Sequence, residues 1–123
     1  VHNDGKKMEI SIEEFDGIKV VILVGEIDAK TAPKVQQQVF NLTATDKKVL
    51  MDLSQVNYMS SAGLRMLLSL YRHTTAKDIK LLLVGLSEEI EDTMSVTGFL
   101  DFFATSKTRE SGLIALKITR EQY

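Results

Sequence analysis

The stretch "VLMDLSQVNYMSSAGLRMLLSLYR", Val49 to Arg72, changes its periodicity partway. It opens on apolar residues in succession, as in a strand covered on both faces. It closes with Leu64, Leu67, Leu68 and Tyr71 at helical spacing, while Arg65, Ser69 and Arg72 lie mostly on the other side. Two hydroxyls and two small residues, Ser60 to Gly63, stand between the two patterns. A buried strand feeding directly into an amphipathic helix is half of a βαβ unit and points to a parallel sheet.

The same alternation continues outward. "MEISIEE" (Met8 to Glu14) alternates apolar and polar residues like a half-exposed strand. Asp16-Gly17 reads as a hairpin turn into "IKVVILVGEID", apolar without a break from Val20 to Val24. "KKVLMDLS" (Lys47 to Ser54) and "IKLLLVGL" (Ile79 to Leu86) are two more buried strands, and "FFATS" is a short fifth. Between them, Thr31 can cap "APKVQQQVFNLT", with the only proline in its first turn. Ser87 can cap "EEIEDTMSVT", whose glutamates suit the positive end of the helix dipole, and Gly98 stops that helix as a left-handed cap. "RESGLIALKITREQY" is a final helix. The predicted order is β-β-α-β-α-β-α-β-α. This is one α/β domain over 8–123, with a mixed, mainly parallel sheet of four to five strands, an antiparallel edge strand and about four helices. Residues 1–7 read as a loose arm.

Composition narrows the function classes. The chain has 123 residues, 44% apolar and 26% charged, with a net charge of −2, so nothing favours binding to nucleic acid or anionic lipid. It has no cysteine, which removes disulfides, thiolate metal sites and a cysteine nucleophile and suits a reducing cytoplasm. No apolar run approaches the ~20 residues that span a bilayer, and "VHNDGKKMEI" has no apolar signal core. The expectation is a cytoplasmic protein, a monomer when free, without metal or cofactor.

In parallel sheets, sites form outside the carboxyl ends of the strands. Two polar, tight segments fall there: "GEID" (Gly25 to Asp28) and "NYMSSAG" (Asn57 to Gly63). If their strands are neighbours, Asp28 and Ser60/Ser61 share one surface. A serine at a helix start has two readings. It can cap the helix, at about 1 kcal/mol. It can also be a modification site, since a phosphate there stands beside unpaired N–H groups and the positive end of the dipole.

"VGEIDAKTAPKV", "VLMDLSQVNYMSSAGLRMLL" and "LLLVGLSEEIEDTMSVTGFLDFF" together resemble the STAS domain (sulfate transporter and anti-sigma factor antagonist), and most of all the stand-alone bacterial anti-sigma factor antagonists. The likeness runs from Met8 through nearly the whole chain. It implies a non-enzymatic regulator. The unphosphorylated form binds an anti-sigma factor that is also a serine kinase, which releases a sigma factor. Phosphorylation at the helix start dissolves the complex, and a phosphatase of the PP2C type resets it. The family motif, commonly Asp-Ser-Ser/Thr-Gly-Leu, aligns its modified serine with Ser61, its aspartate with Ser60 and the next hydroxyl residue with Ala62. Ser60 in place of the acid removes a charge and offers an alternative hydroxyl. The resemblance also implies partner contacts at Glu26, Asp28, Met59, Ser60, Ala62, Gly63 and Arg65.

Other readings stay beside this one. Asp28 can instead cap the turn before Thr31, and Asp52, at a strand end, can satisfy local donors. His73 reads as a solvated helix residue, and with His2 it makes neither a zinc site nor a triad. Met51, Met59, Met66 and Met94 fit core filling, and Met59, directly before the serines, can instead present an apolar contact. The chain could also be a non-switching STAS scaffold of a signalling complex or lipid transporter, or a partner-switch regulator of a target other than a sigma factor. A small enzyme or ligand binder would need a deep pocket at the strand ends.

Overall fold

The hairpin, the sheet and the crossovers follow from local chemistry. A computed structural model describes residues 8–120; the expected arm, residues 1–7, and the end of the expected last helix, residues 121–123, lie outside the described residues. Strand β1 (Glu9–Phe15) turns through Asp16-Gly17 into β2 (Ile18–Ile27). Both turn residues have positive φ, 54° and 78°, the type I′ geometry whose twist matches that of the paired strands. Then follow α1 (Ala32–Leu42), β3 (Lys48–Met59), α2 (Ser61–Ala76), β4 (Lys80–Val84), α3 (Glu88–Val96), a 3-10 turn (Phe99–Phe102), β5 (Ala104–Ser106) and α4 (Arg109–Arg120).

The sheet order is β1-β2-β3-β4-β5, antiparallel only between β1 and β2. Right-handed crossovers between neighbouring strands that advance one way place every crossover helix on the same face. Side-chain parity agrees. Val21, Leu23, Val49, Met51, Leu53 and Leu83 point into one core with α1, α2 and α3. Ile18, Val20, Leu50, Leu82 and Val84 point the other way and meet Leu113 and Leu116 of α4. The methionines Met51, Met66 and Met94 are buried as core filler, as expected. The edge strand β1 is almost wholly exposed, and its glutamates, two of them paired with Lys19 and Arg109, discourage further strand pairing.

Several local expectations need correction. Strand β3 does not end near Ser54 but runs on to Met59. Gln55, Val56, Tyr58 and Met59 pair with the Val24–Ile27 end of β2. The bulge at Leu53–Ser54 is fixed by Asp52, whose Oδ1 accepts from the Ser54 N–H at 3.0 Å and its hydroxyl at 2.7 Å. Asp52 therefore serves local donors, as expected, but within the strand. The buried stripe of α2 centres on Gly63, Met66, Leu67, Leu70 and Thr74, leaving Leu68 and Tyr71 only half-buried. His73 is half-buried rather than freely solvated. It stacks on Phe40 with ring centroids 4.1 Å apart, and its Nε2 lies 2.8 Å from Thr43 Oγ1. The Thr43 proton goes to the Phe40 carbonyl at 2.8 Å, so the imidazole N–H donates and joins α1 to α2.

Ser87 accepts from the Ile90 N–H at 3.1 Å and caps α3 as expected, and Gly98 is left-handed at φ 82°. Thr31 occupies the cap position of α1 without a side-chain capping bond.

Candidate functional site: the start of helix α2

Because β2 and β3 are neighbours, their long ends carry "GEID" and "NYMSSAG" to one place. Ile27 pairs with Met59, and the Ser60 N–H donates to the Ile27 carbonyl at 2.9 Å. Helix α2 is thus tied to the end of β2 at its capping residue. The close approach needs a glycine: a Cβ at Gly63 would stand 2.7 Å from Met59 Cγ and 3.0 Å from the Ile27 carbonyl oxygen. Gly63, expected among the partner contacts, is buried, so its role is to seat the helix rather than to face a partner.

The two serines have different environments. Ser60 has extended backbone, and its hydroxyl accepts from the Gly63 N–H at 3.3 Å; it is the cap. Ser61 is the first helical residue and is exposed, and its hydroxyl has no hydrogen bond to a described residue. The first helical N–H to reach a carbonyl is that of Leu64, bonded to the Ser60 carbonyl at 3.0 Å, so the N–H groups of Ser61 and Ala62 precede the intrahelical ladder.

Across the junction, Asp28 is half-buried. Its Oδ1 accepts from the Lys30 N–H at 2.9 Å and the Thr31 N–H at 3.1 Å. Those two backbone donors, Thr31 first, hold the carboxyl below its ordinary range and keep it ionised. The hydroxyl of Thr31 donates to the Glu26 carbonyl at 2.8 Å and accepts from the Asp28 N–H at 2.9 Å. The turn-capping reading of Asp28 is therefore realised, and the side chain stays at the same strand end as Ser60. Glu26 is half-buried opposite Tyr58.

Two grooves flank the first turn of α2. One, of about 650 Å³, lies between α1 and α2 and is lined by Pro33, Gln36, Phe40, Ala62 and Arg65 among others. The other, of about 240 Å³, lies between the tail of β3, α2 and α3 and is lined by Tyr58, Met59, Leu64, Glu89 and Thr93 among others. Both are open surface features suited to a protein partner rather than to an enclosed small molecule. Among the described residues no cluster of metal-ligating side chains occurs, and no helix is long and apolar enough to cross a membrane. The α1 wall and Tyr58 (51% exposed) were not anticipated from sequence. The alternation of Gln55, Val56 and Asn57 signals the strand tail, but it would place Tyr58 on the inward side with Val56, so the exposure of Tyr58 has no signal in the sequence.

The comparisons with known proteins agree with this geometry. The STAS domain family model matches residues 9–112. An anti-sigma-B factor antagonist of Listeria monocytogenes is 35% identical over 96 residues, 76% of this chain and 84% of that one. BtrV of Bordetella bronchiseptica, described as a candidate anti-sigma factor antagonist, is 25% identical over 111 residues, 89% of this chain and 96% of that one. A crystal structure of an anti-sigma factor antagonist from Mycobacterium paratuberculosis superposes with a TM-score of 0.79 at 26% identity, covering 91% of this chain and 96% of that one. The chain belongs to the STAS domain family and, within it, to the anti-sigma factor antagonists.

Proposed function

We propose that the protein is a cytoplasmic, non-enzymatic partner-switching regulator, gated by phosphorylation of Ser61. Unmodified, it docks the start of α2 and the adjoining strand ends on an anti-sigma factor that is also a serine kinase, and a sigma factor is released. The kinase transfers the γ-phosphoryl group of ATP to Ser61 Oγ, the hydroxyl proton leaves and ADP is released; the complex then dissociates. A PP2C-type phosphatase hydrolyses the phosphoserine to serine and inorganic phosphate.

The observation that carries this reading is the division of labour between the two hydroxyls. Ser60 is occupied as the cap, while Ser61 stands exposed beside Ala62, with open grooves on both sides. That division favours Ser61 over Ser60 as the modified residue. Ser60 in place of the family's aspartate leaves the helix capped, because a serine caps about as well as an aspartate.

The magnitudes suffice. Moving a complex from mostly bound to mostly free takes two or three orders in affinity, roughly 3–4 kcal/mol. A phosphate adds about −1.5 to −2 charges near neutral pH. One like-charge contact at ~4 Å near a protein surface reaches about 4 kcal/mol before screening. Charges beyond a Debye length of ~8 Å are largely screened, so only a hydroxyl within the contact can act alone.

The test is binding of the cognate anti-sigma kinase to Ser61→Ala and Ser61→Asp variants. Alanine should bind and resist phosphorylation, and aspartate should bind at least tenfold more weakly. Equal binding by both variants would sink the switch and leave a constitutive scaffold.

A further inference from the structure

We infer that Arg65 is the internal receptor of the phosphoryl group on Ser61, so that modification both adds charge and withdraws an arginine from the docking face; this rests on the phosphorylation reading above. Ser61 and Arg65 are four residues apart on α2, a spacing that puts them on one face with Cβ atoms about 5–6 Å apart. Both are exposed, and Arg65 forms no ion pair or hydrogen bond with a described residue. Ala62, on the same groove wall as Arg65, is too small to obstruct the approach.

Nothing acidic on the two helices competes for the guanidinium. Neither α1 nor α2 contains an aspartate or glutamate, and their charged residues are Lys34, Arg65 and Arg72. The acidic side chains gather on α3, at Glu88, Glu89, Glu91 and Asp92, and Glu89 lines the opposite groove. Asp28 already has one carboxylate oxygen on two backbone N–H groups.

A guanidinium can take two phosphate oxygens at once, which an ammonium cannot do in the same planar geometry. In the unmodified chain Arg65 is available at the α1–α2 groove for a carboxylate of the partner. In the modified chain the phosphate is the nearer anion and takes it. Ser60, five residues from Arg65, is off that face, so the arrangement serves a phosphate at 61 and not at 60.

The experiment needs neither kinase nor partner. Phosphoserine is installed genetically at position 61 of the full chain, and its second ionisation, ordinarily near pH 6, is followed by phosphorus NMR. The expected result is a lower ionisation midpoint in the native background than in Arg65→Gln. Arg65→Lys should fall between them, the difference should shrink in about 1 M salt, and phosphoserine at position 60 should show no dependence on residue 65. Superimposable titrations of the native and Arg65→Gln backgrounds overturn the inference. Such a result leaves the Ser61→Ala and Ser61→Asp binding test untouched. Conversely, a Ser61 that no kinase modifies would refute the switch without altering these titrations.

Discussion

Ser60 and Ser61 are adjacent, chemically identical and differently committed, and their substitution should separate stability from signalling. Ser60→Ala removes the Gly63 cap and should lower stability by about 1 kcal/mol, read as a lower urea midpoint with an unchanged slope, while phosphorylation at Ser61 persists. Ser61→Ala, at an exposed hydroxyl, should stay within about 0.5 kcal/mol of the native chain and abolish the phosphorylated species in intact-mass spectra. Asp28 adds a pH dependence of known sign. Its carboxyl titrates below its ordinary value of 3.8 because the Thr31 and Lys30 N–H groups favour the charged form. Its contribution to stability is complete above the unfolded value and is lost as pH falls through the lower folded one. Asp28→Asn should therefore flatten the acid limb of the stability profile below about pH 4 and change little at neutral pH beyond a constant offset. An unchanged acid limb would mean the carboxylate is not held as described.

At the scale of elements, the site is a consequence of how tightly α2 is seated. Gly63→Ala would place a methyl group 2.7 Å from Met59 Cγ and 3.0 Å from the Ile27 carbonyl, and overpacking of this kind costs roughly 1–3 kcal/mol. It should also weaken partner binding, because Ser60 and Ser61 move with the helix start. A variant that binds normally would show that the seating of α2 does not matter. The seam between α1 and α2 offers a second test. His73→Ala loses the stack on Phe40 and the bond to Thr43 and leaves a buried hydroxyl short of a partner, for roughly 1–3 kcal/mol read by denaturant titration. Much of this architecture was legible in sequence. The uninterrupted apolar runs gave the buried strands, Asp16-Gly17 the hairpin, and Ser87 and Gly98 the limits of α3. What escaped was set by tertiary contact. The tail of β3 is polar on alternate residues because only β2 pairs with it beyond β4, so it reads as a loop until that partner is known. His73 looks like a solvated side chain until α1 is laid against α2. Thr31 has the composition of a cap, but its hydroxyl is turned to Glu26 and Asp28 by the strand end above it.

At the scale of the molecule, the progressive strand order stacks α1, α2 and α3 on one face and leaves α4, among the described residues, alone on the other, and the long ends of β2 and β3 meet at α2. The same stacking sorts charge. The charged residues of helices α1 and α2 are basic and those of α3 are acidic, with Ser61 between the two grooves. A partner seated there would meet both signs at once, and its association should slow at high salt. The placement of Asp28 and Ser60 on one surface follows from the sequence pattern, by the rule that neighbouring parallel strands end on the same side. The grooves beside them do not follow from it, since they depend on the depth at which α2 sits. The most direct measurement is a calorimetric titration of the cognate anti-sigma kinase with two forms of the full chain, one unmodified and one carrying phosphoserine at position 61. The expected result is a loss of affinity of at least about a hundredfold, or 2.7 kcal/mol or more, in the modified form; equal affinity for the two forms would contradict the account.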